Sequence, residues 1–575
     1  AEPRAPFLYP TVKISLFQIH SILQTLFHSP NFTMSSLLRR IIRTIEQEPF
    51  SLALFSTAFL ALILFRIGVE SLLGFFAPQP LSFLFFEFTH TFLFFLIAFF
   101  CLIPVIRFAG APSISSAAHI LLFGFLIILT PPVIDTLVSQ GGNVWSFYKF
   151  DSIKGLLLRF LTFFGDRPDI GITYGVRTEV ACVTFGVGLY AFLMSRKFLH
   201  ALKSALATYI VLFILGTFPS YLTFLIQGFS KGFFNIGASD IAGLFLSPSE
   251  LFSFKTPDIR STLNIKMSLW YASLLILFLP IFTYYHSRSL FFALFRNVRW
   301  PQIWYHGGLL FLGGLLAWHF TEPVLILNHF HILAVFLLTV AVGCAWLASV
   351  IVNDCFDTTI DAQTNQHRPL ISGSIDRSTF ITIGWLFFFA SILFSALVSF
   401  SASLLLVLYQ AIAWIYSAPP FRLKRIPGIA TLLASAAGLI ILLIGFLLIA
   451  PSHDFSRLPL SLLFFLFLAY AVALPLKDFK DIAGDKKDHV LTFPVLLGEK
   501  NARLVFGSVL FLLFILSAFV LHIRSAFPLA VLFGGASFFL LQTARKRHAW
   551  CSYIRLPFLM LTLITGYGFC LLWFM

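Results

Sequence analysis

Residues 331–361 run HILAVFLLTVAVGCAWLASVIVNDCFDTTID, an apolar segment followed at once by a cluster of carboxylates. The apolar segment is long enough to cross a bilayer as one helix, which takes about 20 residues. The carboxylates are Asp354, Asp357 and Asp361, at offsets i, i+3 and i+7. These offsets fall on one face of a helix, so the pattern predicts three acidic side chains that project together at the end of a membrane span. We call these three residues the first carboxylate cluster.

A second carboxylate cluster repeats the spacing, with Asp478, Asp481 and Asp485 again placed directly after an apolar run. Like charges at such short spacing repel, and they would be costly at a membrane boundary without a counter-charge. Hard divalent cations remove that cost, and Mg²⁺ binds through a few carboxylates together with the oxygens of a substrate phosphate. We therefore predict that the two clusters face one cavity and hold a diphosphate from both sides.

The composition is that of a polytopic membrane protein. The chain has 575 residues, of which 59% are hydrophobic and 11% are charged, whereas a soluble domain has about 25% charged residues. The net charge of +15 lies mostly in the loops between apolar segments, as the positive-inside rule expects, and does not indicate nucleic acid as a partner. The six cysteines have no CxxC pairing, which argues against both a zinc site and a disulfide framework.

Apolar segments recur along the whole chain, and we predict an all-α, polytopic helical bundle. Before residue 290 there are about six of them: roughly 51–76, 81–106, 118–138, 178–194, 204–228 and 267–286. A second set lies at roughly 302–320, 331–352, 379–397, 403–418, 429–450, 459–476, 504–522, 526–542 and 556–574. The predicted organisation is an N-terminal segment (1–50), a membrane domain (51–289) and a second membrane domain (290–575).

Lysine and arginine follow alternate spans, which predicts that the N-terminus and both carboxylate clusters lie on the cytoplasmic side. The stretch from Ser35 to Phe50, with Arg39, Arg40 and Arg43, is typical of a basic amphipathic helix on an anionic membrane surface. A transit peptide is the alternative interpretation of the same residues.

Ionisable and helix-bending residues also occur inside the N-terminal spans. Arg66 and Glu70 lie in the first span, and Glu87 and His90 in the second. Intramembrane groups of this kind are either functional or form an internal pair between helices. The Pro131-Pro132 pair predicts a kink in the third span.

Several motifs of the C-terminal part resemble the UbiA superfamily of intramembrane prenyltransferases. They are NDCFDTTID (353–361) with HRPLISG (367–373), YSAPPFRLKR (416–425), and KDFKDIAGD (477–485) with TFPVLLG (492–498). They occur in the order of the family's motifs, and the resemblance covers about residues 290–575. It implies nine helices around a cavity that opens to lipid, and Mg²⁺-dependent transfer of a polyprenyl group from its diphosphate to an acceptor. The first membrane domain would then be an additional one of unknown function.

The resemblance also implies roles for individual residues. Breaking an allylic C–O bond leaves charge on the diphosphate, which metal ions and cationic side chains stabilise. The expected metal ligands are Asn353, Asp354, Asp357 and Asp361 at one site, and Asp478, Asp481 and Asp485 at the other. The diphosphate is expected to be bound by Arg368, Lys424 and Lys480 together with Asn353. Tyr416 is expected to stabilise the prenyl carbocation by cation–π attraction. The residues expected to act most directly in catalysis are Asp357, Asp481, Arg368 and Lys480.

Three alternatives stay open at this point. Arg422, Lys424 and Arg425 could be only orientation signals. The reaction could be phosphoribosyl transfer to a polyprenyl phosphate, or the protein could be a non-enzymatic prenyl-lipid transporter or scaffold. The acceptor, the prenyl chain length, the group that takes the acceptor's proton and the oligomeric state do not follow from the sequence.

Overall fold

The structure is a computed structural model that describes residues 34–73, 81–139, 146–165, 171–248, 250–251, 254–255, 258–323, 328–426, 428–451, 454–480, 482, 486, 491–544, 551–553 and 555–574. Within these ranges the regular structure is helical, apart from a short antiparallel pairing of Glu250–Leu251 with Phe254–Lys255 and an isolated parallel bridge between Ser146 and Gly171. Twelve of the helices are long and apolar enough to span a membrane. The predicted all-α, polytopic class is therefore confirmed.

The chain forms two compact units. Unit 1 consists of Ala1–Pro78 and Phe95–Ile241, and unit 2 consists of Gln79–Phe94 and Ala242–Met575. The last long helix before residue 290, Ile259–His286, falls in unit 2, because it packs against helices of the C-terminal half. One such contact is the Lys266 ammonium, which lies 5.1 Å from the centre of the Phe330 ring.

Among the described residues, ten helices precede residue 250, and two of them, α3 and α10, contribute residues to both units. They are α1 (Met34–Gln47), α2 (Leu52–Leu72), α3 (Leu81–Ala109), α4 (Ile114–Gly124), α5 (Thr130–Val138), α6 (Ile153–Leu161), α7 (Tyr174–Ser195), α8 (Phe198–Gly216), α9 (Phe218–Lys231) and α10 (Ala238–Phe245). The predicted span 204–228 was misplaced. Its helix ends at Gly216 and a new one begins at Phe218, because Pro219 lacks the amide that would continue the first helix and suits the first turn of the next.

The predicted kink of the third span is present in unit 1. A 3₁₀ segment, Phe125–Leu129, separates α4 from α5. Asp135 of α5 is buried, and its carboxylate accepts hydrogen bonds of 2.7 Å from both the Thr173 hydroxyl and the Gly175 amide. This carboxylate therefore caps the start of α7 with a negative charge, where the helix dipole favours one.

Both sets of intramembrane ionisable groups are paired. Within unit 1, Arg66 Nη2 lies 2.7 Å from Glu70 Oε1. Within unit 2, Arg260 donates two hydrogen bonds, of 2.9 and 3.0 Å, to the two carboxylate oxygens of Glu87, and Asn264 donates a third, of 2.7 Å. Glu87 thus forms a pair between helices, as the second alternative predicted, whereas Arg66 and Glu70 pair within one helix.

In the part of the chain that the structure describes, thirteen helices follow the strand pair, all in unit 2. They are α11 (Ile259–His286), α12 (Arg288–Asn297), α13 (Trp300–Thr321), α14 (His329–Phe356), α15 (Thr358–Thr364), α16 (Arg377–Ala396), α17 (Phe400–Ser417), α18 (Ile429–Ile449), α19 (Leu460–Ala473), α20 (Phe493–Leu497), α21 (Glu499–Val520), α22 (Phe527–Thr543) and α23 (Leu556–Phe574). Every apolar segment predicted after residue 290 contains one of these helices.

Helices α13 and α18 touch backbone to backbone through a reciprocal pair of glycines. A methyl group on Gly313 would lie 1.9 Å from the carbonyl oxygen of Leu442, and one on Gly445 would lie 1.9 Å from that of Leu310. Only glycine permits so close an approach, as at small-residue interfaces of membrane helices generally. This contact fixes α13, which begins directly after Arg299, a residue of the site described next.

Candidate active site

The first carboxylate cluster lies where α14 ends, but not on one continuous helix. Asp354 is in the last turn of α14, Asp357 joins the two helices with φ −105° and ψ 16°, and Asp361 is in α15. All three side chains are buried. The bend divides the cluster in two. Asp354 and Asp361 both contact Arg368, whereas Asp357 contacts residues of another loop.

Two arginines neutralise the first part of the cluster. Arg368 Nη1 donates to Asp354 Oδ1 at 2.9 Å and is also in close contact with Asp361 Oδ2. Arg299 Nη2 donates to the same Asp354 oxygen at 2.5 Å. Arg368 was predicted from its motif to be at the site, whereas the sequence analysis assigned no role to Arg299, which precedes α13.

The loop after α17 supplies the partners of Asp357. Arg422 Nη2 lies 2.9 Å from one carboxylate oxygen of Asp357, and Lys424 Nζ lies 2.5 Å from the other. Lys424 Nζ also donates to Asn353 Oδ1 at 2.9 Å, an oxygen that accepts a second hydrogen bond of 3.2 Å from Ser417. Arg422 and Lys424 therefore contact the cluster and are more than orientation charges, while the neighbouring Arg425 is exposed.

Two of these cations have a left-handed backbone. Arg299 has φ 55° and ψ 61°, and Arg422 has φ 44° and ψ 48°. For a residue with a Cβ atom this conformation costs about 1–2 kcal/mol. Strained residues of this kind cluster at functional sites, where the surrounding structure holds them in place.

The electrostatics of the cluster are those of an anion site. Four cations (Arg299, Arg368, Arg422 and Lys424) contact three carboxylates, so four minus three leaves an excess of one positive charge among these described residues. Burial raises the pKa of Asp361, although Arg368 opposes this shift. Burial also lowers the pKa of Lys424, and Asp357 opposes that shift. Both groups thus lie in a poorly solvated environment, where charge–charge interactions are strong.

Only part of the second carboxylate cluster is described. Asp478 lies in the 3₁₀ segment Leu474–Lys480, which is anchored by Phe479. The buried Phe479 ring packs against Phe506 and Tyr553, with ring centres 6.1 and 5.7 Å apart. Asp481, Asp485 and the side chain of Lys480 lie outside the described residues.

Tyr416, at the end of α17, is partly buried.

The donor chemistry of the first cluster fits a magnesium ion, although its carboxylates are ion-paired. Across the described ranges, no group of three or more histidine, cysteine, aspartate or glutamate side chains is arranged to hold a metal ion. Asp354 nevertheless has one buried carboxylate oxygen, Oδ2, without a hydrogen-bond partner. Leaving such an oxygen unsatisfied costs free energy, and hard oxygens of this type are the ligands that Mg²⁺ prefers.

The C-terminal part of the chain is similar to known proteins. Residues 309–562 match the model of the UbiA prenyltransferase family. The chain is 28% identical over 174 residues to a digeranylgeranylglyceryl phosphate synthase of Thermococcus gammatolerans, covering 30% of this chain and 60% of that protein. It is also 28% identical over 162 residues to a chloroplast chlorophyll synthase of Oryza sativa, covering 26% of this chain and 42% of that protein.

A solved structure gives a further match of low similarity. A UbiA homologue from Archaeoglobus fulgidus, bound to GPP and Mg²⁺, aligns with 49% of this chain and 99% of its own length, at 18% identity and a TM-score of 0.38. The chain thus spans about 60% of the Thermococcus relative and less than half of the chlorophyll synthase. Residues before 309 lie outside the family match.

Proposed function

We propose that the protein transfers a polyprenyl group from its diphosphate to a lipophilic or aromatic acceptor within the membrane, because residues 309–562 match the model of the UbiA prenyltransferase family. The allylic C–O bond of the donor breaks, and the diphosphate departs with the bonding electrons. A bond then forms from the prenyl carbon to the acceptor, which loses a proton.

The observation that carries this proposal is the excess of cations in the first carboxylate cluster, at the end of a membrane-spanning helix. A diphosphate that enters would exchange partners with the carboxylates and take hydrogen bonds from Arg368 and Lys424. Arg299 and Arg422 are added to the predicted set, because they bind the same carboxylates. Charge-assisted hydrogen bonds of this type stabilise the charge that develops on the leaving group.

The divalent cation would be held by carboxylate oxygens of the first cluster, which become available when the arginine and lysine side chains bind the diphosphate instead. We assign it to Asn353, Asp354, Asp357 and Asp361, with Asp478, Asp481 and Asp485 on the opposite side and Lys480 on the diphosphate. When bound, Mg²⁺ neutralises the diphosphate and makes it a better leaving group. Tyr416 is assigned to the prenyl carbocation, and the polyprenyl tail can stay among the lipid chains.

The organisation of the chain is part of the proposal. We assign the amphipathic segment to residues 1–50, a membrane domain of unknown function to residues 51–289, and the catalytic domain to residues 290–575. The bias of lysine and arginine between loops supports a cytoplasmic N-terminus and active site. Relatives named for a glycerol phosphate ether product and for chlorophyll support a lipophilic acceptor without selecting one.

The direct test uses purified full-length protein in lipid nanodiscs. With Mg²⁺, radiolabelled geranylgeranyl diphosphate and a panel of acceptors (an aromatic quinone precursor, a chlorin and a glycerol phosphate ether lipid), we expect pyrophosphate release and one labelled product. Asp357→Asn should abolish both, whereas the matched control Asp376→Asn should retain both, because Asp376 only caps α16.

The alternatives predict other outcomes of the same assay. A transporter or scaffold would bind the labelled donor but release no pyrophosphate with any acceptor. A phosphoribosyltransferase would be inactive with these donors and active with phosphoribosyl diphosphate and a polyprenyl phosphate. Either result would overturn the proposal.

A further inference from the structure

A histidine and a tyrosine are hydrogen-bonded to each other inside unit 2. His306 of α13 is 6% exposed and Tyr409 of α17 is 4% exposed. The distance between His306 Nε2 and the Tyr409 hydroxyl is 3.0 Å. The Trp346 ring of α14 covers the imidazole, with ring centres 4.9 Å apart. Three helices of the catalytic domain therefore meet at this pair.

The partners of the imidazole determine which way the protons point. His306 Nδ1 lies 2.6 Å from the backbone carbonyl oxygen of Gln302. A carbonyl can only accept, so Nδ1 carries the proton of the neutral ring and Nε2 presents its lone pair. Tyr409 must then donate its hydroxyl proton to His306. The Ser349 side chain is also hydrogen-bonded to Tyr409, so this tautomer leaves the phenol oxygen with one further lone pair to accept a proton from another group.

Counting along the helices puts the pair just beneath the first carboxylate cluster. His306 follows Arg299 by seven residues, and Tyr409 precedes Ser417, which binds Asn353, by eight. At 1.5 Å per residue these separations are about 10 and 12 Å along the helix axes. One face of α14 connects the His306–Tyr409 pair with the first carboxylate cluster. It carries Trp346, Ser349 and Asn353, each of which is only partly buried.

The acceptor has to lie at a similar depth, because the diphosphate and the reacting prenyl carbon occupy the space between the cations and the acceptor. The prenyl carbon is attached to the diphosphate, and an attacking atom approaches to about 3–3.5 Å from the reacting carbon. The acceptor therefore lies within several ångströms of the diphosphate, on the membrane side.

We propose that Tyr409 takes the proton that the acceptor loses, with His306 as the residue that positions and activates it. This inference rests on the proposed prenyl transfer. As the prenyl carbon bonds to the acceptor, the acceptor's O–H or ring C–H proton moves to the Tyr409 oxygen. The phenol proton moves to His306 Nε2, leaving an imidazolium whose Nδ1–H stays on the Gln302 carbonyl. One proton is lost and one is gained, and no further reactant is required.

The competing interpretation is that this is a satisfied pair in the core. Unit 2 contains a pair of that kind for comparison, in which the Tyr567 hydroxyl is hydrogen-bonded to the Ser517 hydroxyl and both residues are buried. The Ser517 hydroxyl is not a base at neutral pH, so the Tyr567–Ser517 pair can stabilise the fold but cannot accept a proton from a reacting group. Tyr567→Phe is therefore the matched control.

The test separates ionisation of the donor from transfer to the acceptor. Tyr409→Phe and His306→Gln are assayed in nanodiscs with Mg²⁺, labelled geranylgeranyl diphosphate and the acceptor that the wild-type protein uses. Pyrophosphate, transfer product and free prenyl alcohol are quantified. We expect pyrophosphate release to stay within about threefold of wild type while transfer product falls by about 100-fold or more, the contribution typical of a general base. Water then captures the carbocation, so prenyl alcohol replaces the product.

Each other outcome has a definite meaning. Glutamine can accept the Tyr409 hydrogen bond but cannot take its proton, so unimpaired transfer by His306→Gln would overturn the proposal. A parallel fall of pyrophosphate and product in both variants, or an equal change in Tyr567→Phe, would also overturn it, because a structural role would suffice. If the wild-type protein releases no pyrophosphate, the proposed function itself fails, and that is seen before any variant is made.

Discussion

Replacing Gly445 by alanine should force α13 and α18 apart. The new methyl carbon would lie 1.9 Å from the carbonyl oxygen of Leu310 and 2.8 Å from its carbonyl carbon. A carbon and an oxygen in contact stay at about 3.3 Å or more, so the backbones must separate by roughly 1.4 Å. Neither obstacle is a flexible side chain, and the reciprocal contact between Gly313 and Leu442 would open at the same time. Overpacking of this kind costs about 1–3 kcal/mol or more.

The assay is thermal unfolding of the purified protein in nanodiscs, together with turnover. A loss of about 3 kcal/mol corresponds to a fall in Tm of roughly 4–5 °C for a domain of about 300 residues. Turnover should fall as well, because α13 carries Arg299 and His306 and small displacements of reacting groups are costly. The matched control is Gly314→Ala, whose methyl group would lie 3.4 Å from a side-chain atom of Ile449 and should be tolerated. Equal Tm values for Gly445→Ala and Gly314→Ala would refute the reasoning.

Three further perturbations test other parts of unit 2. Lys424→Gln removes a charge-assisted hydrogen bond worth about 1.5–3 kcal/mol, so a donor titration should show roughly 10- to 150-fold weaker binding; unchanged binding would mean that Lys424 only neutralises Asp357. Asp376→Ala removes a helix cap worth about 1 kcal/mol. Hydrogen bonds from the first turn of α16 lower the pKa of Asp376, so its stabilisation is present above about pH 4 and is lost as the pH falls through the folded-state pKa; a Tm difference from wild type that persists at lower pH would contradict this. Glu87→Leu leaves the Arg260 charge uncompensated and should cost about 3–5 kcal/mol, whereas the double variant with Arg260→Leu should recover most of that in unfolding experiments; equal losses would show that the pair is not coupled.

The sequence predicts well those features that depend on neighbours along one helix. The apolar segments indicated the helices after residue 290, and the i, i+3, i+7 spacing identified Asp354 and Asp361, which share Arg368. The bend at Asp357 was not predicted, because periodicity alone does not reveal where a helix changes direction. The place of Asp478 at the end of an apolar run was correct, although its segment is a 3₁₀ turn.

Features that join distant parts of the chain could not be predicted. Arg299 binds Asp354 across 55 residues, His306 and Tyr409 are 103 residues apart, and Arg260 reaches Glu87 across 173. A single charged residue before a span has the same appearance in the sequence whether it orients the helix or enters a site. Only the packing of α13 against its neighbours distinguishes the two for Arg299.

The backbone of Arg299 and Arg422 has a consequence for laboratory evolution. Glycine adopts φ near 50° without steric penalty and asparagine does so more easily than arginine, so either substitution would relax the chain while removing a charge from the site. The relief of about 1–2 kcal/mol is offset by the loss of a charge-assisted hydrogen bond to a buried carboxylate, worth about 1.5–3 kcal/mol. Libraries screened for heat resistance alone should therefore show no enrichment of glycine or asparagine at positions 299 and 422, and clones that carry either residue should be poor catalysts. Libraries screened for product should keep arginine at both positions and gain their heat resistance elsewhere.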